Sequence, residues 1–408
     1  MLLPHQPEIN IGTVGHVDHG KTTLVEALTG IWTSAHSEEL RRGITIKVGY
    51  ADAAFYKCKN CPSPAAYGTS PKCEKCASEA ELLMVVSFVD CPGHESLMTN
   101  MLSGSALMDG SILVIAANES VPQPQTREHL TAIRMLGMER VLTVQNKVDL
   151  VDDQSARSNF KDITKFVSES TELIHPVIPI SAQHRLNMDY LIQAIDESFP
   201  RMKRDETAPP ILQVLRSFDI NTPGTQGNKL RGGVLGGTLT SGRLSVGDEI
   251  EIRPGIFDNK SSKYLIQTTK VSSLGTSSGL VDVVKPGGLV AIGTTLDPSS
   301  TKSDRFVGSI VGRPNELPPV HDDLTLKVEL FDVAVGAPQL VKVENVKKGE
   351  ILRLNLGTAA TLGDVTSQRD DVIEAKLRRS VCAAVNSRVA ISRKIADRWR
   401  LIGSAVVT

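Results

Sequence analysis

Ile9–Thr23 reads I-N-I-G-T-V-G-H-V-D-H-G-K-T-T, and the rest of the chain is organised around it. Ile9, Ile11 and Val14 have the spacing of a buried strand. Gly15, Gly20, Lys21 and Thr22 complete G-x-x-x-x-G-K-T, with Val17, Asp18 and His19 inside the loop and Thr23 just after it. Leu24, Val25, Ala27 and Leu28 follow a helical period, and Gly30 supplies a stop. Strand, glycine loop and helix is the context in which this spacing binds phosphate. The glycines let backbone N–H groups close around phosphate oxygens, and the new helix points its positive end at them. Lys21 then reaches the β- and γ-phosphates, and the Thr22 hydroxyl ligates Mg²⁺.

The 408 residues suggest two or three domains. Hydrophobic content of 40% and charged content of 22% are those of a soluble globular protein. Net charge is −1, so any nucleic acid must be met by a local basic patch rather than a global field. Residues 1–10 lack the apolar core of a signal peptide. The apolar runs Leu82–Val86 and Ile112–Ala117 are too short to span a bilayer. The expectation is a cytoplasmic protein with no membrane partner. Its six cysteines then read as thiols or metal ligands rather than a disulfide framework.

As far as Phe199, strand and helix patterns alternate. Strand candidates are Ile9–Val14, Leu82–Val89, Ser111–Ala117, Val141–Gln145 and Val177–Ile180. Helix candidates are Lys21–Thr29, Ser96–Met108, Thr126–Leu136, Ser158–Ser168 and Met188–Phe199. This predicts an α/β domain with a mostly parallel sheet and helices on both faces. Asp205–Pro210, D-E-T-A-P-P, reads as a linker. Beyond it helices vanish and short alternating strands with glycine turns appear; Leu326, Val328 and Leu330 share one face. Pro318 and Pro319 split this half into two β-barrels. The expected domains are 1–204 for nucleotide, with an insert at 56–78, then barrels at 205–319 and 320–408.

Further motifs point to guanine nucleotide. Asp90-Cys91-Pro92-Gly93-His94 ends a strong strand. A carboxylate at that tip can hold Mg²⁺ through water, and the Gly93 N–H can meet the γ-phosphate. Asn146-Lys147-Val148-Asp149 ends another strand. The Asp149 carboxylate can accept both N1–H and N2–H₂ of guanine, a donor pair adenine lacks. Asn146 and Lys147 would brace the loop and pack the base. In Ser181-Ala182-Gln183 a backbone N–H can meet guanine O6. Arg41-Arg42-Gly43-Ile44-Thr45-Ile46 lies between the phosphate loop and D-C-P-G, where a threonine can sense the third phosphate through Mg²⁺. Cys58-x-x-Cys61 and Cys73-x-x-Cys76 offer four thiolates for a closed, structural Zn²⁺ site. Flanked by Pro62, Pro64, Gly68 and Pro71, this insert should cap a hairpin and lie outside the main sheet.

The set G-H-V-D-H-G-K-T-T, R-G-I-T-I, D-C-P-G-H, N-K-V-D and S-A-Q resembles the translational GTPases, and a nucleotide domain followed by two barrels is similar to elongation factor Tu. The paired cysteines, the Arg231–Val234 and Gly247-Asp248 stretches and the ending Val389–Arg393 with Arg398–Gly403 resemble the gamma subunits of translation initiation factor 2, of the archaeal type. The resemblance implies a GTPase that binds GTP and GDP with Mg²⁺ and joins alpha and beta subunits in a heterotrimer. It implies delivery of methionyl initiator tRNA to the small ribosomal subunit. By this resemblance Thr22, Thr45 and Asp90 serve Mg²⁺, and His94 positions the attacking water between Val17 and Ile44. Tyr50 would meet the terminal adenosine of the tRNA. No arginine finger is evident, so hydrolysis should be slow until a GTPase-activating factor engages. Two alternatives share the nucleotide domain: a selenocysteine-tRNA elongation factor, which usually carries a further C-terminal domain, and a GTPase subunit of the sulfate adenylyltransferase type.

Overall fold

The structure is a computed structural model and describes residues 2–34, 45, 47–94, 97–170, 176–201, 204–222, 224–258, 260–335 and 341–408. The chain divides into two compact units, one of residues 7–202 and one of residues 1–6 with 203–408.

The first unit is built on strands β1 (Ile9–Val14), β2 (Gly49–Cys58), β3 (Tyr67–Gly68), β4 (Ala80–Asp90), β5 (Gly110–Ala116), β6 (Val141–Asn146) and β7 (Val177–Pro179). Their order across the sheet is β3-β2-β4-β1-β5-β6-β7. β4, β1, β5, β6 and β7 are parallel, while β2 and β3 add an antiparallel edge. β1, β5 and β6 are buried along their whole length, as strands of a sheet covered on both faces must be. The continuous apolar run Ile112–Ala116 of β5 follows from that placement, as does the burial of Asn10, Thr13, Thr143 and Gln145 in β1 and β6. The helices are α1 (Lys21–Thr29), α2 (Met98–Ser105), α3 (Pro124–Met135), α4 (Asp153–Ser170) and α5 (Met188–Ser198). Among the described residues no helix is long and apolar enough to cross a membrane.

Two helices depart from the sequence expectation by more than two residues at an end. α4 starts at Asp153, not Ser158, because Asp152 caps it: the Ser155 N–H donates to Asp152 Oδ1 at 2.7 Å. That bond also holds the Asp152 carboxyl below its usual range. α2 is shorter than Ser96–Met108, ending where the Leu107 N–H turns back to Gly104 O; Ser96 lies outside the described residues.

The cysteine insert does cap the β2–β4 hairpin, but it does not lie outside the sheet. β3, from the middle of the insert, pairs with β2 through Tyr56 and Lys57. Cys58, Ala66, Tyr67 and Cys73 belong to the same buried cluster as Phe55, Phe88 and Leu191. The insert is too small to enclose a core of its own, so it buries its few apolar groups against the main one.

In the second unit, β8 (Ile211–Phe218), β9 (Val234–Ser241), β10 (Leu244–Ser245), β11 (Glu249–Asp258), β12 (Lys263–Thr276), β13 (Gly279–Val281), β14 (Val283–Val284), β15 (Val290–Thr294) and β16 (Ile310–Gly312) make the first all-β module. Six of them run in the order β11-β16-β8-β9-β15-β12, and pairing of β11 with β12 closes the barrel. The second module is a closed barrel of β17 (Val320–Val335), β18 (Ile351–Leu356), β19 (Ala359–Arg369), β20 (Val372–Cys382), β21 (Arg388–Ile395) and β22 (Arg398–Val407). In β17, Leu326 is buried and Thr325, Lys327 and Glu329 are exposed, the period-two pattern of a one-sided strand. The Arg253 guanidinium donates to the carbonyls of Leu317 and Pro318, in the stretch that leads from the first barrel to β17. Fold class is thus an α/β domain followed by two β-barrels.

Candidate functional site

The residues singled out above gather at the carboxyl ends of β1, β4 and β6, the end of an open α/β sheet where ligands bind. The turn between β1 and α1 carries Asp18 in the left-handed region (φ 59) and ends at Gly20 (φ 88), the N-cap of α1. Lys21 is the first residue of the helix and is buried; its ammonium donates to the His16 carbonyl. Burial lowers its pKa to about 8, only partly offset by Asp90. Thr23 follows, half-buried, on α1. Gly93 closes over this loop: a Cβ there would stand 2.5 Å from Lys21 Nζ and 3.0 Å from the Val17 nitrogen. Only a residue without a side chain fits, which brings the D-C-P-G turn onto the phosphate loop.

Asp90 is fully buried and collects three hydroxyl donors. Thr22 Oγ1 donates to its Oδ2 at 2.7 Å, Thr33 Oγ1 to the same oxygen at 2.6 Å, and Thr13 Oγ1 to Oδ1 at 2.9 Å. Burial pushes this carboxyl above its usual range against those three bonds. Thr45 Oγ1 lies 3.0 Å from Thr22 Oγ1 and 2.7 Å from Ser34 Oγ. A carboxylate and two hydroxyls, linked through Thr22 by hydrogen bonds to either side, form an oxygen donor set that fits a hard divalent cation such as Mg²⁺. Thr13, Thr33 and Ser34 escaped the sequence reading. Thr13 was findable, since parallel pairing sets it opposite Asp90; Thr33 and Ser34 carry no local signal.

At the β6 end, Asn146 is buried and bridges two loops. Its Nδ2 donates to His19 O at 2.9 Å and its Oδ1 accepts from the Ala182 N–H at 3.0 Å. It therefore ties the phosphate loop to the S-A-Q loop, a bracing role. Lys147 is in the left-handed region (φ 63) and starts the turn that carries Asp149. The Asp149 carboxylate is part-exposed, 3.6 Å from His184 Nε2. Ser181 is buried and closes the loop by pairing with Leu186; Gln183, beside Ala182, is exposed.

The remaining expected residues are less gathered. His94 is exposed after Gly93, and Val17 is half-buried in the phosphate loop. Ile44, together with Arg41, Arg42, Gly43 and Ile46, lies outside the described residues. Tyr50 lies in β2 opposite Val89.

The four paired cysteines form a second cluster. Their Sγ atoms all lie within 4.8 Å of one another, with Cys58–Cys76 at 3.5 Å and Cys61–Cys73 at 3.7 Å. Tetrahedral Zn²⁺ with Zn–S of about 2.3 Å sets sulfurs about 3.8 Å apart, so the cage has the right size. Hydrogen bonds from Ser78 hold the Cys76 thiol down to about 6, while its bond to Cys76 pushes the Cys61 thiol up to about 12, so without a cation the cluster shares its protons and one sulfur carries the charge. Cys91 and Cys382 are buried elsewhere and take no part.

Comparison with known proteins agrees with this geometry. Residues 6–201 match the family described as Elongation factor Tu GTP binding domain, and residues 322–407 match Initiation factor eIF2 gamma, C terminal. The chain is 54% identical over 401 residues to Translation initiation factor 2 subunit gamma of Archaeoglobus fulgidus, covering 98% of this chain and 94% of that protein. The protein of that name from Pyrococcus furiosus is 54% identical over 404 residues, covering 98% of each chain. Among solved structures, a bacterial selenocysteine-specific elongation factor superposes with a TM-score of 0.74 at 23% identity. That match covers 98% of this chain but only 58% of the other. The elongation factor SelB of Methanococcus maripaludis gives 0.72 at 21%, over 99% of this chain and 80% of its own. At that identity the likeness is one of fold, whereas the end-to-end identity to the gamma subunits is one of family. The chain belongs to the gamma-subunit family of translation initiation factor 2, within the translational GTPases.

Proposed function

We propose that this chain is the GTP-switched subunit of a heterotrimeric initiation factor. With alpha and beta subunits it carries methionyl initiator tRNA to the small ribosomal subunit. What carries the reading is the convergence of Lys21, Thr22, Thr45 and Asp90 at one end of the sheet, in a chain 54% identical end to end to gamma subunits.

In this reading the backbone from Gly15 to Thr23 cradles the phosphates of GTP or GDP, with Lys21 on the β- and γ-phosphates. Mg²⁺ held by Thr22, Thr45 and, through water, Asp90 neutralises charge on the phosphate oxygens. Thr45 and Gly93 sense the third phosphate, so the segment around Thr45 orders in one nucleotide state. Asp149 accepts from guanine N1–H and N2–H₂, while Asn146 and the Ser181–Gln183 loop hold its position. His94 orients the attacking water beside Val17 and Ile44; turnover stays slow until a GTPase-activating factor completes the site. Zn²⁺ on Cys58, Cys61, Cys73 and Cys76 is structural, with no open position. Tyr50 faces the tRNA end.

The test is filter binding of the reconstituted trimer to charged and uncharged initiator tRNA, each with a GTP analogue and with GDP. Charged tRNA with the GTP analogue should bind tightest, by a coupling of about 1–3 kcal/mol over GDP. Equal affinity in all four arms rejects the reading.

A further inference from the structure

His129 lies on α3, 114 residues from the loop it touches, and is fully buried. α3 packs against β1 and β5, the strands that bracket the start of the phosphate loop. The β1 ladder ends at Val14, paired with Leu113, so Gly15 is the first residue to leave the sheet. Gly15 has φ +138, and a Cβ on it would sit 2.3 Å from Val114 O. Its N–H has passed the last strand partner and is buried, where an unpaired donor is costly. That N–H donates to His129 Nδ1 at 3.0 Å. At the other end of the loop, the His19 ring meets Val114 O at 3.0 Å and the His19 carbonyl accepts from Asn146. Glu119 Oε2 adds a third contact, 3.3 Å from His19 Nε2, so the far end is held from three sides, while the Gly15 N–H is taken up by the His129 imidazole.

We propose that His129 is a positioning residue for nucleotide binding: its Nδ1 turns the Gly15 N–H to the back of the loop, so that the amides after it converge on the phosphates in front. The inference deepens the nucleotide-site reading of Ile9–Thr23 and rests on it. Because Nδ1 accepts, the ring proton is on Nε2, and the imidazole must be neutral to serve. Its surroundings keep it so: burial, reinforced by the Lys21 and His16 charges, lowers its pKa to about 3. A buried histidine that merely fills space would tolerate an apolar side chain of similar volume. A histidine chosen as an acceptor tolerates only another acceptor at the same point.

The experiment uses the full chain and three variants. H129N places a carbonyl oxygen where Nδ1 stands, H129Q carries it one methylene further, and H129L removes it. The readouts are release of a fluorescent GDP analogue, hydrogen exchange at the Gly15 amide and thermal unfolding. H129L and H129Q should release nucleotide about 10-fold faster, the size of one neutral hydrogen bond, and lose Gly15 protection. H129N should stay near wild type in both. Release from H129L at the wild-type rate overturns the proposal. So does H129N releasing as fast as H129L while both remain folded. If H129L does not fold, the contrast between H129N and H129Q decides alone. Failure of the wild-type chain to bind the GDP analogue would instead remove the nucleotide-site reading beneath it.

Discussion

The Thr22 hydroxyl donates to the Asp90 carboxylate across 2.7 Å, joining the first turn of α1 to the tip of β4. The contact follows from sheet order. β1 and β4 are parallel neighbours with Thr13 opposite Asp90, so the loop after one and the tip of the other open at the same end. A cation entering there would replace that hydrogen bond, taking Thr22 as a direct ligand and Asp90 through water. T22A should therefore lose the Mg²⁺-dependent part of nucleotide affinity. Titrating GDP with Mg²⁺ and with chelator should show a wide gap for wild type and almost none for T22A. A wild-type gap in T22A would take Thr22 out of the metal shell.

Lys21 predicts a trade of stability for affinity. Its folded pKa of about 8 lies below the ordinary 10.5, so at neutral pH its buried charge costs roughly 3 kcal/mol. K21M keeps the aliphatic packing and removes the charge. Without nucleotide, K21M should resist denaturant better than wild type, yet bind GDP about 10- to 100-fold more weakly through loss of a charge-assisted bond. The sign fixes the pH window. A depressed cation gains stability as pH rises from about 8 toward 10.5, so the advantage of K21M should shrink across that range. A constant advantage would mean that the gain comes from packing.

Much of this was legible because it is local. β1 and α1 fall on Ile9–Val14 and Lys21–Thr29 as their periodicity predicts, and Asp90, Asn146 and Asp149 stand at strand ends where the motifs put them. What stayed hidden depends on contacts between distant segments. Thr33 on Asp90, Asn146 bridging two loops and His129 behind Gly15 join residues 36 to 127 positions apart. No window of sequence reports such a pair. Ala66 and Tyr67 were misplaced for a related reason: in a proline-rich insert, nothing local reveals that they pack into another segment's core.

Asp149 should set base selectivity. Its carboxylate, held near His184 and part-exposed, is free to accept two guanine donors. D149N should weaken GTP and favour xanthosine triphosphate, whose C2 oxygen accepts where guanine donates. Competition binding with both nucleotides measures the switch. Retention of full GTP preference would assign guanine reading elsewhere.

His94 is exposed and directly follows the Gly93 that closes over the phosphate loop, so it should act on turnover and not on ground-state binding. H94A should hold GTP with near wild-type affinity and hydrolyse it more slowly in single turnover with the stimulating partner present. A large affinity loss with turnover of bound GTP unchanged would give His94 a binding role.

The cysteine cluster links metal to fold more closely than its place in the sequence suggests. The cage is sized for zinc, and its sulfurs, together with the Asn60 amide donating to Ser78 Oγ at 3.0 Å, join the Cys58 end of β2 to the Cys73–Cys76 turn without passing through the sheet. Purified without chelator, the chain should carry one zinc. Because β3 is paired to β2 and Tyr67 packs into the main core, stripping the metal should do more than loosen a surface loop. Hydrogen exchange should rise in β3 and in the outer half of β2, and spread to α5, which packs against β3. The end of the sheet that holds Asp90 lies at the other end of the β2–β4 pairing, which runs from Gly49 opposite Asp90 to Cys58 opposite Ala80. GDP affinity should therefore survive metal removal while the edge strands lose protection. Loss of GDP affinity in step with edge protection would mean that the insert and the nucleotide site unfold as one unit, and unchanged protection would mean that no metal was holding the insert.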